Sequence, residues 1–111
     1  MINLFCGYDS REAIGFHVFC HSVIKHASQP VNFIPLGDRG LPQGSNSFTL
    51  SRFLVPYLMG FSGHAIFADA SDMLCMSDIA ELDALFDPKY AVQVVKRPDY
   101  STRNPVKYIG T

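Results

Sequence analysis

What most constrains this chain is the order of its opening segments: a short apolar run, a long capped one, and a second short apolar run. Residues 2–6 are apolar, bounded by Gly7 and too few for a helix, so they are expected as a strand. Asp9 or Ser10 then offers a helix cap, with Glu12 at the third helical position if Asp9 is the cap. Over residues 10–26 the apolar positions Ile14, Phe16, Val18, Phe19, Val23 and Ile24 suit a helix buried on most sides. Ser28-Gln29-Pro30 stops it, and residues 31–36 return as a second strand. A strand–helix–strand unit of this size closes naturally as a parallel pair with a crossover between.

The rest of the chain extends that unit. Residues 37–47 are rich in Gly, Pro, Ser, Asn and Asp and form a loop. Residues 49–59 have helical character, although Pro56 removes a backbone donor and frees the carbonyl of Arg52. Gly60 and Gly63 punctuate the turn into residues 64–68, a third, buried strand. Ser77 or Asp78 caps a short helix that runs to Phe86 and stops at Asp87-Pro88. Residues 90–95 are expected as a fourth strand. The fold class is therefore α/β, a Rossmann-like, mainly parallel sheet with flanking helices in a single domain spanning residues 1–111.

Composition narrows the function classes. Nine Lys plus Arg against ten Asp plus Glu leave a formal charge of −1, which argues against a nucleic-acid partner. The longest apolar run, residues 53–61, is interrupted by Pro56 and Gly60 and falls well short of the ~20 residues a membrane span needs. The N-terminus lacks the basic start and cleavage region of a signal peptide. Cys6, Cys20 and Cys75 are odd in number and without CxxC spacing. They are expected as reduced, mostly buried thiols of a cytoplasmic protein.

The segment with most chemistry is Ala65-Ile66-Phe67-Ala68-Asp69-Ala70-Ser71-Asp72, an apolar strand running straight into two carboxylates. In open α/β sheets ligands bind beyond the carboxyl ends of the strands, which is where Asp69 and Asp72 are delivered. Carboxylates are the hard donors that Mg²⁺ or Mn²⁺ takes, usually one or two of them completed by substrate phosphates. A metal there would neutralise charge developing on a diphosphate leaving group. The plainer alternative is that Asp69 caps a turn and Asp72 is a solvated loop acid.

Two stretches, Ser51-Arg52-Phe53-Leu54-Val55-Pro56-Tyr57-Leu58 and the acidic turn, resemble the family 8 glycosyltransferases and related GT-A enzymes. In that family an arginine-bearing helix precedes a strand ending in Asp-x-Asp. Gly7-Tyr8-Asp9-Ser10-Arg11-Glu12 also resembles the family's first nucleotide-contacting loop. The resemblance implies the N-terminal, donor-binding half of a longer GT-A domain. It further implies retaining transfer from a nucleotide-diphosphate sugar, most often a UDP-sugar, to an unknown acceptor with Mn²⁺ or Mg²⁺. Asp69 and Asp72 then match the metal- and sugar-contacting acids, with Ala70 and Ser71 completing the donor-binding turn. Arg52 matches the arginine that reaches donor sugar or diphosphate, and Tyr8 and Asp9 lie where base and ribose are contacted. The acids here are spaced Asp-x-x-Asp, one residue longer than the family motif, and the metal-binding His and acceptor site of the family's later half have no counterpart in these residues.

Other residues carry weaker signals. Arg52 also suits a surface position with its stem packed on a helix. Tyr8 either stacks on a base or covers the first strand. His17 and His21 share a helix face, where packing is the expected role; Lys25 and His26 suit the helix C-terminus, and His64 is expected to be structural. Lys96, Arg97, Arg103 and Lys107 form a basic stretch that meets either solvent or phosphates. Two competing functions remain beside glycosyl transfer. One is a phosphatase-like hydrolase, whose acids belong on the first strand rather than the third. The other is a non-catalytic nucleotide-binding or interaction module, which would expose apolar surface and favour a homo-oligomer.

Overall fold

The computed structural model describes residues 1–37 and 50–96. Its elements follow in the order β1 (Ile2–Gly7), α1 (Ala13–His26), β2 (Val31–Leu36), α2 (Val55–Leu58), β3 (Ile66–Ala68) and α3 (Ile79–Asp83). The three strands form one sheet in the order β2-β1-β3. Both pairings are parallel, with Ile2 opposite Val31 and Gly7 opposite Leu36 on one side of β1, and Leu4 opposite Ile66 and Cys6 opposite Ala68 on the other. The chain is thus α/β with a parallel three-stranded sheet among the described residues.

β1 lies in the middle and is buried almost throughout, as a strand paired on both edges should be. Ile2, Leu4 and Cys6 point to one face and meet Phe16, Phe19 and Val23 of α1, together with Ala70 and Ile79. Asn3 and Phe5 point to the other face, where the Asn32 side chain donates to Asn3 Oδ1 at 3.1 Å. β2 is an edge, which suits Pro35, a residue without a ladder donor.

Four expectations need correcting. Helix α1 is buried along a single stripe rather than on most sides, and Ile14 is 81% exposed, with Val18 and Ile24 also outside. A helix against one sheet face has only that stripe to bury, whatever apolar residues it carries elsewhere. Residues 64–68 shorten to the three residues of β3, which are half-buried because, among the described residues, β3 is paired on one side, with β1. Residues 90–95 form no strand and stay exposed, Val94 at 83%: their apolar alternation suits a strand, but they pair with neither β2 nor β3. Residues 51–58 are a 3₁₀ turn followed by one α-helical turn, and the Arg52 carbonyl accepts from the Val55 N–H instead of being left open by Pro56. The loop of residues 38–47 and the start of the expected second helix at Thr49 lie outside the described residues.

Candidate functional site

β1 and β3 run parallel and end level with each other, so the residues that follow them share one edge of the sheet. After β1, the Tyr8 N–H donates to the Leu36 carbonyl at 2.8 Å and prolongs the ladder by one residue. The Tyr8 and Phe16 rings meet nearly at right angles, 5.3 Å between centres, which ties Tyr8 to the core rather than leaving it free over the strand end. Asp9 follows in extended backbone and caps the 3₁₀ turn that opens into α1. It is only 2% exposed. Its Oδ1 accepts the Arg11 N–H at 3.0 Å and Arg11 Nε at 2.9 Å, while Oδ2 accepts Arg11 Nη2. A carboxylate this buried needs such partners to stay charged, and Arg11 supplies two of them from a largely exposed side chain.

After β3 the chain reverses within three residues. Ala70 has a φ of +73°, and the Ser71 N–H donates to the Asp69 carbonyl at 2.8 Å. A bond to the second residue back across a positive φ is a tight γ-turn, a strained geometry for any residue but glycine. The Met73 N–H then donates to the Ala70 carbonyl at 3.1 Å, while the Ala70 N–H points at Met73 Sδ at 3.4 Å. Ala70 itself is wholly buried in the core cluster. Anchoring Ala70 inward leaves the carboxylates on either side, Asp69 and Asp72, outside.

The turn is also pressed onto α1. A Cβ built at Gly15 would lie 2.0 Å from the Ser71 carbonyl oxygen, a backbone atom that cannot swing aside. Gly15 is therefore what lets the acidic turn lie against the first turn of the helix. Behind it, Ser22 Oγ donates to the Phe19 carbonyl at 2.6 Å and accepts the Cys75 N–H at 2.8 Å, holding the chain after the turn to the same helix.

Arg52 completes the group. Its Nη1 is 3.9 Å from Asp69 Oδ1, and its guanidinium carbon is 5.5 Å from the centre of the Phe67 ring. The ring and the carboxylate orient the guanidinium from two sides. Immediately before it, Ser51 is 1% exposed and its Oγ has no hydrogen-bond partner.

The structure thus brings Arg52 and Asp69 together and places Tyr8 and Asp9 at the end of the neighbouring strand. Ser71 contributes backbone packed on Gly15, and Ala70 points into the core. Asp72 follows the turn and is exposed. Among the described residues no group of three or more His, Cys, Asp or Glu is arranged to hold a metal. A two-carboxylate set is still chemically suited to Mg²⁺ or Mn²⁺ when phosphate oxygens supply the remaining ligands. Away from the site, His17 and His21 are exposed, His17 with its ring against that of Phe16 at 5.4 Å, and His64 Nε2 is 2.9 Å from Asp83 Oδ1 with its ring stacked on Phe86. Lys96 is exposed, while Arg97, Arg103 and Lys107 lie outside the described residues. Cys6, Cys20 and Cys75 are free thiols. No helix among the described residues is long and apolar enough to cross a membrane.

Sequence reasoning passed over Gly15 and Ser51. A glycine at the third position of a helix is a signal for close approach, because it costs about 1 kcal/mol relative to alanine unless something needs the space. Ser51 has no such signal, since burial without a partner is visible only in three dimensions.

No known family profile matches this chain, and no solved structure does. It is 37% identical over 119 aligned positions to Protein CDI of Arabidopsis thaliana, an alignment that takes in 96% of this chain. The chain spans 45% of the length of that relative. These findings correct the assignment to the family 8 glycosyltransferases: no profile of that family matches, and the relative's name is not that of a glycosyltransferase. The arginine helix and acidic turn are too short, and one residue off in their spacing, to carry family membership without such a match.

Proposed function

We propose that this chain binds a nucleotide-diphosphate sugar together with Mn²⁺ or Mg²⁺, as the donor-binding part of a glycosyl-transferring protein. The observation that carries the reading is the Arg52 guanidinium 3.9 Å from Asp69 at the carboxyl end of a parallel strand. A cation and an acid on one sheet edge, beside the loop that follows the central strand, suit a ligand that is itself anionic but metal-bridged. In this reading the metal, when bound, offsets charge on the diphosphate. Asp69 and Asp72 hold it, Arg52 orients a phosphate or the sugar, and the Tyr8–Asp9 corner meets base and ribose. The sheet would be the nucleotide half of a Rossmann-like fold, and the acceptor would be met by other parts of the protein.

Calorimetry with UDP-glucose, GDP-mannose and ADP-glucose, each with and without Mn²⁺, tests this. Binding should require the metal and should weaken at least about tenfold in Asp69→Ala, the loss of one charge-assisted contact. Metal-independent binding, or binding indifferent to both Asp69→Ala and Asp72→Ala, would defeat it.

A second reading, an interaction module, is favoured by the exposed apolar residues Ile14, Val18 and Ile24 on α1 and Val92, Val94 and Val95 after α3. Light scattering separates the two: self-association that Ile14→Glu and Val18→Glu abolish supports it, and a strict monomer removes it.

A further inference from the structure

Ser51 holds a hydroxyl that the fold does not use. It is buried, its Oγ has no hydrogen-bond partner, and it directly precedes the arginine that faces Asp69. An unpaired hydroxyl in such a place is destabilising, a penalty that alanine in the same space would avoid. Nothing in the packing calls for the polar atom: the 3₁₀ turn is closed by backbone bonds, Phe53 N–H to the Leu50 carbonyl at 3.1 Å and Val55 N–H to that of Arg52. Unused polarity next to a site of convergent charges is a common mark of a group reserved for a ligand.

We propose that Ser51 Oγ is a phosphate-binding hydroxyl, donating its proton to an oxygen of the diphosphate that Arg52 engages. The assignment rests on the donor-binding reading above and adds a residue to it. Phosphate is the chemistry that fits. Arg52 offers a planar fork of donors suited to phosphate oxygens, and a hydroxyl from the adjacent residue supplies a further donor on the same short turn. A hydroxyl can also serve a sugar, but a neutral partner would gain little from the cation beside it. Because Ser51 opens the 3₁₀ turn and is not on the acidic turn, it holds the ligand without contacting the metal.

The proposal predicts an opposition between stability and binding. Without ligand, Ser51→Ala should unfold at a higher temperature than the wild type, because it removes an unsatisfied hydroxyl. With ligand it should lose about 10- to 100-fold in affinity, the range for a hydrogen bond to a charged group. Ser51→Thr, which keeps the hydroxyl, should retain most of the affinity. The measurement is calorimetry of wild type and both variants with magnesium diphosphate and with the tightest-binding nucleotide sugar in Mn²⁺, beside thermal unfolding of the apo chains. Equal affinity of wild type and Ser51→Ala for both probes would overturn the proposal, as would a lower apo melting temperature, which would give the hydroxyl a structural role. Absence of binding by the wild type itself is a separate result: it would fail the donor-binding reading, not the assignment of Ser51 within it.

Discussion

Substituting Gly15 by alanine tests how the acidic turn is held. In an isolated helix the change is favourable by about 1 kcal/mol, since alanine is the better helix former. Here the new Cβ would lie 2.0 Å from the Ser71 carbonyl oxygen and 2.9 Å from its carbonyl carbon, where real Cβ contacts under 3.0 Å are essentially never seen. Helix and turn must part by roughly 1 Å to reach even a tight contact, and overpacking of this kind costs about 1–3 kcal/mol. The obstacle is backbone in a turn anchored by buried Ala70 and closed by the Ser71–Asp69 and Met73–Ala70 bonds, so the upper end applies. Offsetting the propensity gain leaves a net loss of about 2 kcal/mol, or roughly 10 °C in melting temperature for a domain of this size. The displaced acids should also bind donor at least tenfold more weakly, as angstrom-scale misplacement of a positioned group costs up to about 100-fold. Urea denaturation and calorimetry read the two effects, with Ile14→Ala as the control on the exposed face. A Gly15→Ala chain as stable as that control, with unchanged affinity, would refute the contact.

Four further substitutions and one pH dependence follow from the same packing. Ala70→Gly should change stability by less than about 1 kcal/mol, because relief of the positive φ offsets the lost methyl, whereas Ala70→Val should cost more than about 2 kcal/mol at the same backbone angle. Ser22→Ala should cost about 1–3 kcal/mol by leaving the Cys75 N–H without its acceptor, measurable by urea denaturation and faster amide exchange at Cys75. Burial, reinforced by neighbouring Cys20, pushes the Cys6 thiol from 9.0 up to about 12. The folded chain therefore keeps a proton that the unfolded chain releases, so this contribution is whole below pH 9 and is lost as pH rises from 9 toward 12. Urea midpoints should fall across that window, and less steeply in Cys6→Ala.

The opening strand–helix–strand unit was legible because its signals are local: Gly7, the Asp9 cap and Ser28-Gln29-Pro30 each act on the backbone where they stand. The pairing of residues 2–7 with 31–36 follows from the length of the connection. The outer face of α1 was not legible, since Ile14, Val18 and Ile24 look like core residues by type and their exposure depends on what packs there. The same holds for residues 90–95, whose valines have strand character although they join neither β2 nor β3. At the site, the position of Asp69 followed from the strand that precedes it, whereas Arg52 was placed beside it only by the family resemblance, and its 3.9 Å approach to Asp69 is visible only in three dimensions. The γ-turn at Ala70 did not, as alanine gives no hint of a positive φ. That turn allows the Asp-x-x-Asp spacing to put both acids outside while the residue next to Asp69 serves the core.

The most direct test of the central claim is to locate the metal. In a ¹⁵N-labelled chain saturated with nucleotide sugar and Mg²⁺, small additions of Mn²⁺ broaden amide signals close to the metal and spare distant ones. Binding at the acidic turn predicts selective loss of the signals of Asp69, Ser71 and Asp72, then of Tyr8 and Asp9, with those of the last turn of α1 and of α3 retained. Broadening centred elsewhere, or no broadening beyond that seen without nucleotide sugar, would contradict the account.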